Sequence, residues 1–343
     1  MEYNQHSFIS IFNYIFYQMK RLLFTGLAAA IVLTGCQKSD TISEMKSAEN
    51  HDHMGGRQCV SMEILQQQLQ EDPSLQSRMD EIERNLETNQ NLMKIGRLVN
   101  GVYEIPVWVN VLYRTTAENI SQTQIQSQID VLNEDFGGTN TDNTLVPSTF
   151  TGLKAGNCNV RFVLQGITRK ATTKTSWRTD NSCKSSSKGG ISPTSPTIYM
   201  NLWVCTLAGG VLGYAQFPGG SSATDGVVIL NTGFGRTGTA AAPFNKGRTA
   251  THEVGHWLNL RHIWGDATCG SDLVTDTPTH NTANYGCPAT GHRSTCTGTP
   301  IEMTMNYMDY TDDRCMYMFS TGQKSRMLAT FATGGGRTTF AQP

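Results

Sequence analysis

The chain is 343 residues long, balances 27 Lys+Arg against 28 Asp+Glu for a formal net charge of −1, and is only 16% charged. That length provides a core for one large domain or two modest ones, and a near-neutral charge without basic runs excludes the electrostatic footprint of a nucleic-acid binder. Nine cysteines point to an oxidising compartment, although the number alone does not separate disulfides from metal ligands or a lipidated thiol.

In chain order, Met19-Lys20-Arg21 precede an apolar stretch over 22–33, too short for a membrane span of about 20 residues and suited to a signal peptide. It ends in Leu33-Thr34-Gly35-Cys36, which resembles the lipobox of bacterial lipoproteins and makes Cys36 the candidate lipid anchor. Residues 1–18 fit no part of a signal peptide, so Met19 is the candidate translation start. Residues 37–100 are distinct in composition, with net charge −4 against +2 for residues 101–343. Within them Leu75, Met79, Ile82 and Leu86 recur at helical spacing after the break at Asp72-Pro73, which predicts a small helical module.

From residue 103 the period changes to two. Ile105, Val107, Val109 and Val111 predict a strand; Ile125, Ile129, Leu132 and Phe136 predict a helix starting near Ser121; Val160, Phe162 and Leu164 predict the next strand. Further strands are expected over 198–204 and 226–230, and a last helix over 321–332, after a loop-rich stretch from 262. The fold class is therefore α/β.

The chemistry is carried by His252-Glu253-Val254-Gly255-His256-Trp257-Leu258-Asn259-Leu260-Arg261-His262. On a helix His252 and His256 share one face, so both imidazoles reach one zinc ion while Glu253 lies beside a metal-bound water. His262 becomes the third ligand only if the helix stops after 258 and the chain turns sharply. Asn259 suits that turn because Asn tolerates the left-handed conformation.

This stretch resembles the long zinc motif of the metzincin metallopeptidases, with Asn259 in place of their usual Gly. Downstream, Asn306-Tyr307-Met308-Asp309-Tyr310, Cys315, Phe319 and Gly322-Gln323 resemble the pappalysin branch. The resemblance implies a twisted mixed sheet with an active-site helix, a zinc cleft and a smaller irregular lower subdomain. It makes Met308 the Met-turn residue and Tyr310 a stabiliser of the reaction's intermediate. The expected layout is a signal peptide over 1–36, a propeptide over 37–100, an upper catalytic subdomain over 101–262 and a lower one over 263–343.

Cys269, Cys287, Cys296 and Cys315 lie in the loop-rich stretch, where disulfides would substitute for a core. Four cysteines allow three pairings; the resemblance implies Cys269 with Cys296 and Cys287 with Cys315. A four-cysteine structural zinc is the competitor, disfavoured by the lack of a C-x-x-C pair. Cys158, Cys183 and Cys205 stay unassigned. Cys59, in Gly56-Arg57-Gln58-Cys59, resembles the cysteine switch of latent metzincins: a thiolate in zinc's fourth position excludes water. Pairing with a leftover thiol is its alternative. His51 and His53 are nearby candidates of lower rank, and Lys94 and Arg97 are candidate activation cleavage points.

Asp272 and Asp276 offer oxygen ligands for calcium. Pappalysin-like enzymes that cut before basic residues tend to carry an acidic residue immediately before the Met-turn cysteine, and Arg314 stands there instead. Acidic or neutral residues after the scissile bond are the resulting expectation, with Asp312 and Asp313 as an offset. Extended substrate is expected to add to a sheet edge at 225–231. Together these readings describe a latent zinc endopeptidase with Glu253 as general base. It is monomeric, acts on protein or peptide, and is extracytoplasmic: a bacterial lipoprotein at the outer membrane or surface, or secreted after processing. Alternatives are a non-catalytic surface protein that contains zinc, or a zinc hydrolase of a non-peptide bond.

Overall fold

The computed structural model describes residues 56–89, 98–99 and 101–341; Met19, Cys36, His51, His53, Lys94 and Arg97 lie outside them. Two helices come first, α1 (Ser61–Glu71) and α2 (Ser74–Asn89). Asp72-Pro73 separates them, and the Asp72 carboxylate accepts a hydrogen bond from the Ser74 amide at 3.1 Å. α2 buries Leu75, Met79, Ile82 and Leu86, the four residues whose spacing predicts it. α1 was not expected: its buried apolar face narrows to Ile64 and Leu65, too little for a periodic signal.

One sheet organises the rest. β2 (Val102–Tyr113) pairs in parallel with β3 (Val160–Ala171) and with β4 (Met200–Cys205), and β4 continues in parallel to β6 (Val227–Leu230). β5 (Gly213–Ala215) closes that edge antiparallel to β6, and the short β1 (Leu98–Val99) folds back on the start of β2. Ile105, Val107, Val109 and Val111 are fully buried, as the alternation requires. α3 (Gln122–Gly137) begins at Ser121, whose hydroxyl accepts from the Gln124 amide, a cap worth about 1 kcal/mol.

The edge of the sheet differs from expectation. Residues 225–231 contain β6, an inner strand flanked by β4 and β5, so the free edge belongs to β5. A three-residue strand beginning with Gly has no alternation to read, which is why the neighbouring apolar run stood in for it.

α4 (Arg248–Trp257) is buried along all ten residues and lies against α3, β5 and β6. Its first residue ties the molecule together: the Arg248 guanidinium bonds the carboxylates of Asp135 in α3 and Asp142, and the carbonyl of Met316. The Tyr307 hydroxyl donates to the same Asp135 at 2.8 Å. Beyond α4 the chain is mostly loops up to α5 (Thr321–Ala329), which opens with a reciprocal capping box between Ser320 and Gln323. The disulfides there are Cys269–Cys296 and Cys287–Cys315. Each closes a loop of 27 or 28 residues, worth about 3–4 kcal/mol by loop entropy.

Candidate active site

α4 ends at Trp257, Asn259 takes φ +69, and the Leu260 amide donates back to the Gly255 carbonyl at 2.9 Å. This turn carries His262 round to the other two histidines. The Nε2 atom of His256 lies 3.2 Å from that of His252 and 3.1 Å from that of His262. A tetrahedral ion with bonds of about 2.0–2.1 Å has nitrogen ligands about 3.3 Å apart, so the three imidazoles fit zinc. The opposite ring nitrogens fit it too: Nδ1 of His252 bonds the Tyr307 carbonyl at 2.7 Å and Nδ1 of His256 the Leu260 carbonyl at 2.8 Å. Each Nδ1 must therefore donate, which leaves the Nε2 lone pairs aimed at one point.

His262 is held differently. Its Nδ1 bonds a carboxylate, Asp266, at 2.5 Å, and its ring stacks on Trp264 with centroids 4.3 Å apart. Asp266 was not singled out from the sequence. A carboxylate behind a ligand histidine fixes its tautomer and ring orientation. Asp266→Asn is therefore expected to weaken zinc binding about 10–100-fold, read by competition against a metal-sensing dye; unchanged affinity would leave Asp266 without this role.

The Cys59 sulfur joins the histidines, all four ligand atoms lying within 4.8 Å of one another. This is the only such convergence of three or more His, Cys, Asp or Glu side chains among the described residues. Residues 58–61 reach it by adding to the edge of β5. Cys59 pairs in parallel with Gly213, the Leu212 amide donates to the Gln58 carbonyl at 2.9 Å, and the Ala215 amide donates to the Ser61 hydroxyl at 2.8 Å.

Glu253 is buried beside them. Its Oε2 accepts from the Ser61 hydroxyl at 2.8 Å and from the Cys59 thiol at 3.3 Å. Burial pushes its carboxyl up to about 7, against the opposing pull of those two bonds. The Tyr310 hydroxyl donates to the Cys59 carbonyl at 2.8 Å, and its ring packs across His262 with centroids 4.9 Å apart. Met308 lies beneath the helix: a Cβ added to Gly255 would fall 2.4 Å from the Met308 sulfur, so glycine at 255 is what admits the methionine.

Arg314 lies at the surface. Its side chain is 71% exposed, with Nε 3.2 Å from the Cys287 sulfur and 3.8 Å from Asp312. The short 3-10 turn Asp313–Cys315 buries the preceding residue instead. Asp313 is fully buried: one oxygen accepts from the backbone amides of Lys246 and Arg248 at the start of α4, and the other takes the Arg57 guanidinium at 2.6 Å. Arg57 also donates to the Thr249 hydroxyl and lies over the Phe244 ring.

The two carboxylates offered to calcium are engaged within the protein. Asp272 accepts from the Val274 amide and the Thr277 hydroxyl, and Asp276 from the Ser320 hydroxyl and the Gly322 amide. They cap a turn and clamp the start of α5.

A helix and its following turn that aim three imidazoles at one point, a carboxylate beside them and a methionine turn below define a zinc peptidase centre of the metzincin kind. The family model described as pregnancy-associated plasma protein-A matches residues 193–332. The chain is 34% identical over 241 residues to an extracellular metalloprotease of Pyricularia oryzae, spanning 66% of this chain and 75% of that one. It is similar to the solved structure of Tannerella forsythia mature mirolysin in complex with a cleaved peptide, at 45% identity and TM-score 0.67 over 70% of this chain and 96% of that one. A Tannerella forsythia promirolysin mutant matches at 41% identity and TM-score 0.72, over 83% and 97%. The chain belongs to the pappalysin-like family and is a zinc metalloendopeptidase, which sets aside the non-catalytic binding protein.

Proposed function

We infer that the protein is an exported endopeptidase held latent by its own residues 56–89, and that it cuts before basic residues once they are removed. The observation that carries this reading is the Cys59 sulfur among three histidine Nε2 atoms. His252, His256 and His262 would hold a zinc ion, which when bound would supply Lewis acidity and acidify a water. Glu253 takes the proton of the attacking water and returns it to the leaving amine. Tyr310, freed from the Cys59 backbone, turns its hydroxyl to the scissile carbonyl oxygen.

Four contacts support latency. Cys59 takes the place of water; Ser61 occupies the Glu253 carboxylate; residues 58–61 cover β5, where extended substrate would pair; Arg57 pairs with the buried Asp313. The helices add a remote anchor. Glu83 in α2 pairs with Arg326 and accepts from the Asn259 side-chain Nδ2 at 3.1 Å, while Ile82 and Leu86 pack on Ala329. Residues 37–100 act as the propeptide, with Lys94 and Arg97 as cleavage points and Cys36 as the lipid anchor of the exported chain.

Chain direction would keep residues 57–59 from being cut. If the Asp313 pocket takes the residue after the scissile bond, substrate runs from the metal into the pocket. Residues 57–59 run the other way, from the pocket to the metal, and present no peptide bond in register.

The same pocket sets specificity. Asp313→Asn is expected to lower kcat/KM for peptides with Arg after the scissile bond at least about 30-fold, the lower end of the ~2–5 kcal/mol for losing one partner of a buried charge pair. Peptides with Leu there should change little. A cleavage profile still dominated by Arg would overturn the assignment.

A further inference from the structure

Cys158, Cys183 and Cys205 take no part in the site, but the structure separates them. Cys158 lies in the main core, whereas Cys183 and Cys205 share a smaller one with Trp177, Trp203, Tyr214 and Val228. Cys183 sits in the 3-10 turn Ser182–Lys184, Cys205 is the last residue of β4, and both are 0% exposed. Both are free thiols in the structure, their side chains interact within this cluster, and the Tyr214 hydroxyl lies 3.4 Å from the Cys183 sulfur.

The backbone fixes this meeting. The Ile191 amide donates to the Cys183 carbonyl at 3.0 Å, and the Trp203 indole beside Cys205 donates to the Ile191 carbonyl at 2.8 Å. Gly190 approaches the Cys183 carbonyl so closely that a Cβ would stand 2.2 Å from it. Both bonded pairs of this chain, and the extracellular relatives, place it in a compartment where facing thiols oxidise.

We propose that Cys183 and Cys205 are joined as a third disulfide in the exported protein, stapling the 181–191 loop to the end of β4. The oxidant is a protein or small-molecule disulfide of the export compartment. The Cys183 thiolate attacks one of its sulfurs and expels the other as a thiolate; the Cys205 thiolate then attacks the Cys183 sulfur of the mixed disulfide and expels the second. Two thiol protons and two electrons leave as the oxidant's two thiols. The exchange precedes closure of the loop, because neither sulfur is accessible afterwards. The staple braces one flank of β5: Lys184, next to Cys183, donates to the Thr224 carbonyl at 2.7 Å and lies over the Trp203 and Tyr214 rings.

The test is peptide mapping of the exported full chain, acid-quenched, denatured and alkylated without reductant. The expected result is a peptide joined through Cys183 and Cys205, with neither residue alkylated in most molecules. Alkylation of both in most molecules, in a sample where Cys269–Cys296 and Cys287–Cys315 are joined, would overturn the proposal. A second reading uses C183S, C205S and the double variant. If the bond exists, all three lose the same amount of thermal midpoint, since each breaks the same link; losses from the single variants that add in the double variant would contradict it.

Discussion

Cys59→Ala is expected to give a full-length chain that hydrolyses peptides without processing, at a rate about 10²-fold or more above the intact wild type. Tetrahedral zinc sites bind with roughly 10–16 kcal/mol, so one ligand of four contributes about 3 kcal/mol, or two decades of occupancy. Release should be incomplete, because the Arg57–Asp313 pair, the Ser61–Glu253 bond and the seating of α1 and α2 survive the change. Activity per molecule should therefore stay below that of the processed enzyme. Adding Asp313→Asn would raise it against a substrate with Leu after the scissile bond. A silent Cys59→Ala zymogen, with zinc still bound, would mean that the helices alone keep the cleft shut.

Glu253→Ala is expected to lower kcat of the processed enzyme by at least about 10²–10⁴-fold, the span of general acid–base catalysis, with one zinc ion still bound per chain. The two readouts separate the roles of neighbouring residues. Glu253 makes no contact that holds the imidazoles, whose Nδ1 atoms bond Tyr307, Leu260 and Asp266. Retained turnover would refute the base assignment; lost zinc would make Glu253 structural. In the intact chain the same change removes the acceptor for Ser61 and Cys59, so it should also loosen residues 58–61.

Much of the centre is legible in the sequence because helical spacing is rigid. His252, Glu253 and His256 needed only one helix, and His262 needed only a stop after 258, which Asn259 supplies with a positive φ. Met308 was legible only through resemblance; its physical cause is the missing Cβ of Gly255. What escaped depended on tertiary placement or on single-residue offsets. A 3-10 turn buries Asp313 and exposes Arg314, and no periodicity in a polar loop tells which neighbour faces inward. β5 is too short to alternate, so its edge was read one strand away. Arg57 stands two residues before Cys59, but its partner is a carboxylate 256 positions on.

If residues 56–89 are the latch, the fold accounts for its match to the catalytic parts. β5 pairs with residues 58–61 as it would pair with substrate, and Asp313 binds Arg57 by the charge with which it would bind a substrate side chain. Asp313 is itself fixed by the amides at the start of α4, where a helix favours negative charge. Asp313 is therefore tied to the same helix that carries His252 and His256.

The most direct measurement is X-ray absorption at the zinc edge of the intact, zinc-loaded chain. The structure predicts one sulfur at about 2.3 Å and three nitrogens at about 2.0–2.1 Å, with the sulfur replaced by oxygen after processing. A first shell of nitrogen and oxygen alone in the unprocessed chain would contradict Cys59 as the latch.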